Sequence, residues 1–275
     1  MTILSSDVAT FDVLHPSTGL VLPVAEPDGA VRGTIYALHG GGLSSAYWDC
    51  PFESALSLAR LATAAGFRVA YPDRPGHRTN EERWPGGMPA DEEARLHVAT
   101  IGEVLSEGPL FLLGQSAGSM ISLCAAATGA IANLAGIEYS GIGLHLDHDR
   151  EHDGPIMERY WGPMALYPPE VFAPEGRAVT TPIVGEDGTS AFGWWKVFPS
   201  VAAKVTVPVR ITMVDHELWW GPIPQALAEM SAGLSASSRV ETNVEPGAGH
   251  NLSIGWAARA YHMGVLAFFE RCLRV

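Results

Sequence analysis

Short apolar runs alternate with longer amphipathic stretches along most of this chain. Residues 33–38, 67–71, 110–113, 134–142 and 207–214 read as buried strands, being apolar and bounded by glycine, proline or charge. Residues 11–14 and 19–24 predict an opening hairpin around a Pro-Ser-Thr-Gly turn, and residues 238–244 predict a last strand. Between them, residues 54–65, 91–105, 117–127 and 222–234 carry helical spacing, with Gly66 as a fitting stop for the first. Residues 252–273 predict a long amphipathic closing helix. Strands that alternate with helices pair in parallel, so the expected fold class is α/β, a doubly wound and mostly parallel sheet. The alternation stops between residues 146 and 204, a stretch rich in proline, glycine, charge and tryptophan. This predicts an insertion after the sixth strand. The expected domains are a core over 1–145 and 205–275 and an inserted unit over 146–204.

One junction organises the candidate chemistry. The strand at 110–113 feeds Gly114-Gln115-Ser116-Ala117-Gly118 and then a helix of small, apolar residues. A serine at such a sharp turn needs small neighbours, because side chains at 114 and 118 would collide with the adjoining strand and helix. The start of the helix also aims free backbone N–H groups at negative charge developing beside the serine. His39-Gly40-Gly41-Gly42 follows the strand at 33–38, and its glycines let the backbone come close to a ligand. In doubly wound sheets ligands bind beyond the carboxyl ends of the strands. The triple glycine, Ser116, the segment after Val214 and His250 all follow predicted strands, so they gather on one edge.

A serine hydroxyl becomes a nucleophile only when a base takes its proton and a third group holds that base. The candidate base is His250, which follows the last strand through the flexible lead-in Gly247-Ala248-Gly249. Asp215-His216-Glu217 places two carboxylates at the end of one strand. Position in the strand order favours Glu217 as the acid, with Asp215 as the alternative and Glu138 as a third option.

Together these motifs resemble the α/β-hydrolase superfamily over nearly the entire chain. The resemblance rests on Leu38-His39-Gly40-Gly41-Gly42, Asp73-Arg74-Pro75-Gly76-His77, Gly114-Gln115-Ser116-Ala117-Gly118 and Gly249-His250. It implies a nucleophile elbow at Ser116, an oxyanion hole from the backbone N–H groups of Gly41 and Ala117, and a cap formed by residues 146–204. The family's Gly-acid-His-Asp frame matches Val214-Asp215-His216-Glu217 and points to Glu217. Two positions depart from the pattern: Val214 stands where that frame has glycine, and Arg78 where the second motif usually continues with glycine.

Composition narrows the partners. A formal net charge of −13 argues against a nucleic acid and against a polybasic membrane patch, and no run approaches membrane-span length. The first residues lack the basic and apolar segments of an export signal, and three scattered cysteines suggest a reducing compartment. The expected location is cytoplasmic. Residues 145–153 hold several histidines and aspartates, but their spacing fits no helical or hairpin ligand pattern, so no metal and no cofactor is expected. Among the large aromatics, Trp48, Trp161, Trp194 and Trp219 are expected to line an apolar acyl pocket. The reading is a serine hydrolase of esterase, thioesterase or lactonase type, acting on a small, largely apolar acyl substrate through an acyl-enzyme on Ser116. The same Ser–His pair on this fold also suits C–C bond hydrolysis, acyl transfer and lyase or cyclase reactions, and the fold without turnover suits a small-molecule receptor. The expected partner is the small-molecule acyl substrate alone; a homodimer is left open.

Overall fold

A computed structural model describes residues 11–147 and 156–274. The strands β1 (Phe11–Leu14) and β2 (Leu22–Ala25) form the expected antiparallel hairpin. After them come β3 (Gly33–Leu38) and β4 (Phe67–Ala70), with β2 antiparallel to β4. All further pairing is parallel, through β5 (Leu110–Gln115), β6 (Leu134–Ser140), β7 (Val209–Val214) and β8 (Val240–Glu245). The single eight-stranded sheet runs β1-β2-β4-β3-β5-β6-β7-β8. Both β3 and β5 are buried at every position, as strands covered on two faces must be.

The helices α1 (Leu58–Ala64) and α7 (Ala258–Cys272) share one apolar cluster with one face of the sheet. On the other face lie α2 (Ala90–Val104), α3 (Ala117–Ala127) and α6 (Ile223–Gly233). Two expected helices begin later than their periodicity suggests. Ser57 ends a 3-10 turn (Ser54–Leu56) and caps α1, its hydroxyl accepting from the Arg60 N–H at 3.0 Å. At the other end of the chain, Leu252–Ile254 is a separate 3-10 turn. Gly255 is extended there, and the Trp256 N–H donates to Leu166 O at 2.8 Å, so α7 starts only at Ala258.

Between β6 and β7 the sequence shows no periodicity, yet the chain forms α4 (Ile156–Trp161), several 3-10 turns and the 18-residue α5 (Gly185–Ala202). Three glycines and Pro199 within α5 mask its helical character, because each lowers helix propensity. Its second half is tied to the core: Trp194, Phe198 and Ala202 are buried in the cluster that includes α3 and α6. Among the described residues no helix is long and apolar enough to cross a membrane.

His262, on α7, is fully buried, and neither ring nitrogen has a hydrogen-bond partner among the described residues. Burial pushes its pKa down to about 3 from the ordinary 6.5. The unfolded chain therefore takes up a proton below pH 6.5 that the folded chain refuses, and stability is lost as pH falls from 6.5 towards 3. Between pH 7 and pH 5 this one residue is expected to remove about 2 kcal/mol. Denaturant unfolding of His262→Leu at both pH values checks this. A variant with the same pH slope as the wild type would show the assignment to be wrong.

Candidate active site

The turn after β5 carries the most constrained residue of the edge. Ser116 has φ 51° and ψ −120°, a conformation that side chains rarely adopt. Its N–H donates to Ser140 O at 2.9 Å, and Ser119 locks the turn to β6 by donating its hydroxyl to the same carbonyl at 2.8 Å. The glycines at 114 and 118 are required by close approach. A Cβ at Gly114 would lie 2.5 Å from the Ser119 Cα, and one at Gly118 would overlap the Leu38 carbonyl oxygen. Ser116 precedes α3 but does not cap it with its side chain. Among the described residues its hydroxyl makes no hydrogen bond.

His250 arrives on the loop after β8. A Cβ at Gly249 would overlap Trp161 O and the Tyr167 hydroxyl, so the glycine lead-in is a packing requirement as well as a flexible one. The His250 N–H donates to Trp161 O at 2.9 Å, while Gln115 Nε2, next to the serine, donates to His250 O at 3.1 Å. Gly141, at φ 67°, makes room for the ring: a Cβ there would come within 3.2 Å of His250 Cε1.

Glu217 is buried, and its Oε2 lies 2.8 Å from His250 Nδ1 while its Oε1 accepts the Trp219 N–H at 2.9 Å. A carboxylate at Nδ1 assigns the ring proton to that nitrogen and leaves Nε2 as the acceptor. Asp215 does different work: it accepts the N–H groups of Gly247 and Ala248 at 2.8 and 3.0 Å, and so shapes the loop that delivers His250. Glu138 lies within β6, paired with Arg210 at 3.2 Å and accepting from Thr212 at 2.6 Å. Val214, in place of the family's glycine, ends β7 without preventing Glu217 from reaching the histidine. Arg78 adopts φ 44°, the left-handed conformation a glycine would take freely.

Gly41, Ser116, Ala117 and His250 all line one cavity of about 920 Å³. In His39-Gly40-Gly41, the Arg74 N–H donates to His39 Nε2 at 3.0 Å, so the ring proton sits on Nδ1 and donates to Gly40 O at 2.8 Å. Burial, with the nearby His77 and Arg74, holds the His39 pKa well below the ordinary value, which keeps this neutral form. The Gly40–Gly41 peptide is planar and trans, so a carbonyl turned towards His39 turns the Gly41 N–H the opposite way.

Of the four expected pocket tryptophans, Trp161 and Trp219 line the cavity, and so does the neighbouring Trp220. Trp48 and Trp194 do not. Trp48 is fully buried edge-to-face with Tyr47 beside α1, and Trp194 packs on Phe198 in the opposite cluster; both serve the core. Asp187, on α5, also lines the cavity, and nothing in its sequence surroundings marked it. Residues 148–153 of the histidine-rich run lie outside the described residues. Among those described, no group of three His, Cys, Asp or Glu side chains is placed to hold a metal ion.

The family model for the α/β hydrolase fold matches residues 33–167. Among solved structures, a thermostable carboxyl esterase from Bacillus coagulans is similar at TM-score 0.70 and 19% identity, covering 98% of this chain and 100% of that one. A monoglyceride lipase from Saccharomyces cerevisiae is similar at TM-score 0.70 and 14% identity, with 98% of each chain covered. A dienelactone hydrolase from Anabaena variabilis gives TM-score 0.62 and 15% identity over 96% of this chain and 98% of that one. A comparison with curated proteins finds no match. With its sharp turn at Ser116 after β5, its sheet order and the family-model match, the chain has the α/β-hydrolase fold.

Proposed function

We propose that this protein is a serine hydrolase that cleaves a largely apolar ester, thioester or lactone through an acyl-enzyme on Ser116. The observation that carries the reading is the His250–Glu217 pair at 2.8 Å, in the cavity whose wall also holds Ser116 in its constrained conformation. Glu217 keeps the His250 proton on Nδ1, so Nε2 is free to take the proton from Ser116 as its oxygen attacks the acyl carbon. The N–H groups of Gly41 and Ala117 would stabilise the tetrahedral oxyanion; one such donor is typically worth about 3 kcal/mol. The protonated His250 then gives its proton to the leaving group. Water, activated by the same nitrogen, releases the acid and restores the serine.

The lining supports an apolar acyl group. The wall includes the apolar side chains of Met120, Met164, Trp161, Phe172 and Trp219, with Arg159 and Arg177 also on it. The volume lies at the upper end of the ordinary range for small-molecule sites, about 300–1,000 Å³. The segment between β6 and β7 supplies most of that wall, which supports its reading as a cap over residues 146–204. An esterase, a monoglyceride lipase and a dienelactone hydrolase share the fold, and ester-type bonds are common to those names.

A fluorophosphonate probe is expected to label the native protein and to fail on Ser116→Ala. Absence of labelling on the native protein, or labelling that survives Ser116→Ala, would sink the reading.

The two neighbouring carboxylates separate by what they touch. Glu217→Gln is expected to lower kcat about 10²- to 10⁴-fold with little change in stability, because it loses the correct histidine tautomer. Asp215→Asn is expected to lower stability by about 1–3 kcal/mol through the two backbone N–H groups it holds, and kcat much less. Steady-state kinetics with denaturant unfolding on both variants test this; a larger kcat loss for Asp215→Asn would reverse the assignment.

A further inference from the structure

Asp187 lies in the first turn of α5, on the segment between β6 and β7, yet its carboxylate is buried against the core. Its Oδ1 accepts from Arg74 NH2 at 2.7 Å, and its Oδ2 lies 3.4 Å from His77 Nε2. Arg74 is also buried, and its Nε and the same NH2 donate to Glu93 at 2.8 and 3.0 Å. Behind Glu93, His97 Nε2 lies 3.2 Å from its Oε1, and His97 Nδ1 lies 2.8 Å from the Tyr36 hydroxyl. Burial opposes charge on Asp187, but Arg74 and His77 outweigh it and hold the carboxyl well below the usual range.

The same arginine grips the glycine loop. Its N–H donates to His39 Nε2, and its NH1 lies 3.4 Å from His39 O. Asp187 closes on the loop from the opposite direction: a Cβ at Gly41 would lie 2.9 Å from Asp187 Oδ2 and 3.2 Å from its Cβ and Cγ. Farther along, the Thr181 N–H donates to Gly42 O at 2.9 Å, and the Ser44 N–H donates to Val179 O at 2.8 Å. The glycine loop is thus held between the sheet edge and the inserted segment, and one ion pair spans both.

We propose that Asp187 is a positioning residue for the Gly41 oxyanion donor: its ion pair with Arg74 makes the seated cap and the formed oxyanion hole a single state. The inference rests on the serine-hydrolase reading above. It fits a glycine at position 41, since a Cβ there would crowd the Asp187 carboxylate. It also explains why a carboxylate is buried at the start of α5, where an apolar residue would serve packing alone. With the pair broken, α5 can lift from Gly41, and the peptide bearing the donor loses the wall on its far side.

The test uses the phosphonylation rate of Ser116 by a fluorophosphonate, whose phosphoryl oxygen occupies the oxyanion hole. Asp187→Ala is expected to lower the maximal labelling rate about 10- to 100-fold, with little change in the probe concentration giving half that rate. Gly41→Ala is expected to lower the rate as well, and the double variant Gly41→Ala/Asp187→Ala to be little worse than the slower single variant. A role confined to holding α5 would lower the unfolding temperature and leave the maximal rate intact. Labelling of Asp187→Ala at the wild-type rate, or effects of the two substitutions that multiply, would overturn the proposal while leaving the hydrolase reading standing. An unlabelled wild type would overturn the hydrolase reading and this proposal with it. If Asp187→Ala does not unfold cooperatively, Asp187→Leu, which keeps side-chain volume but removes the acceptor for Arg74, carries the same comparison with the same deciding outcomes.

Discussion

The arrangement depends on the close approach of Gly118 to the carbonyl end of β3. No Cβ fits between the start of α3 and the Leu38 carbonyl oxygen, so the helix and the strand meet at backbone contact. That contact leaves the intervening turn few conformations, and Ser116 takes a costly one at φ 51°. Such a residue stores on the order of 1–3 kcal/mol, which persists only where the surroundings over-determine it. Here they do: the Ser116 N–H and the Ser119 hydroxyl both bind Ser140 O, and β5 lies between β3 and β6 in the sheet. The same contact sets the Leu38-His39 backbone beside the elbow, so Ser116 and the glycine loop are positioned by one constraint.

The histidine is placed by a different logic. Its loop enters from β8, at the far edge of the sheet, and no backbone ladder reaches Ser116 from there. Side chains take over that task. Asp215 binds the loop at Gly247 and Ala248, Gln115 binds the His250 carbonyl from the end of β5, and Glu217 binds the ring. Two acids on one short loop therefore have separate duties, one for the loop's path and one for the ring's tautomer.

How legible each feature was in the sequence follows from how local its cause is. The elbow's cause is contained in five residues, and the parallel sheet's in the alternation of apolar runs, so the sharp turn at Ser116 and the fold could be read directly. His250 and Glu217 could be ranked only through strand order, because their partnership spans 33 residues. The tryptophans were partly misread for a physical reason. A large amphipathic ring suits a core and a pocket equally, and Trp194 points to the core only because α5 continues beneath the cavity to pack with α3 and α6. Asp187 was invisible because its meaning lies in Arg74, 113 residues away, and because glycines disguised the helix that carries it.

Two buried ion-pair groups show where directional contacts add information and where they do not. Glu138 and Arg210 are register partners on adjacent parallel strands, so their neighbourhood is already dictated by the β6–β7 ladder. Taking such charges out of water returns little net stability, and an apolar pair of similar volume could fill the space about as well. The ion pair there adds little that the backbone does not already specify. Arg74 and Asp187 differ, since one follows β4 and the other begins a helix of the inserted segment, which is joined to the core loop mainly by short contacts at Gly42–Ser44. Apolar packing at that point would be non-directional, whereas a charged pair with fixed donors adds geometric specificity. In the proposed reaction one backbone N–H beside Ser116 must hold its place, and this is where the chain buries an arginine between two carboxylates.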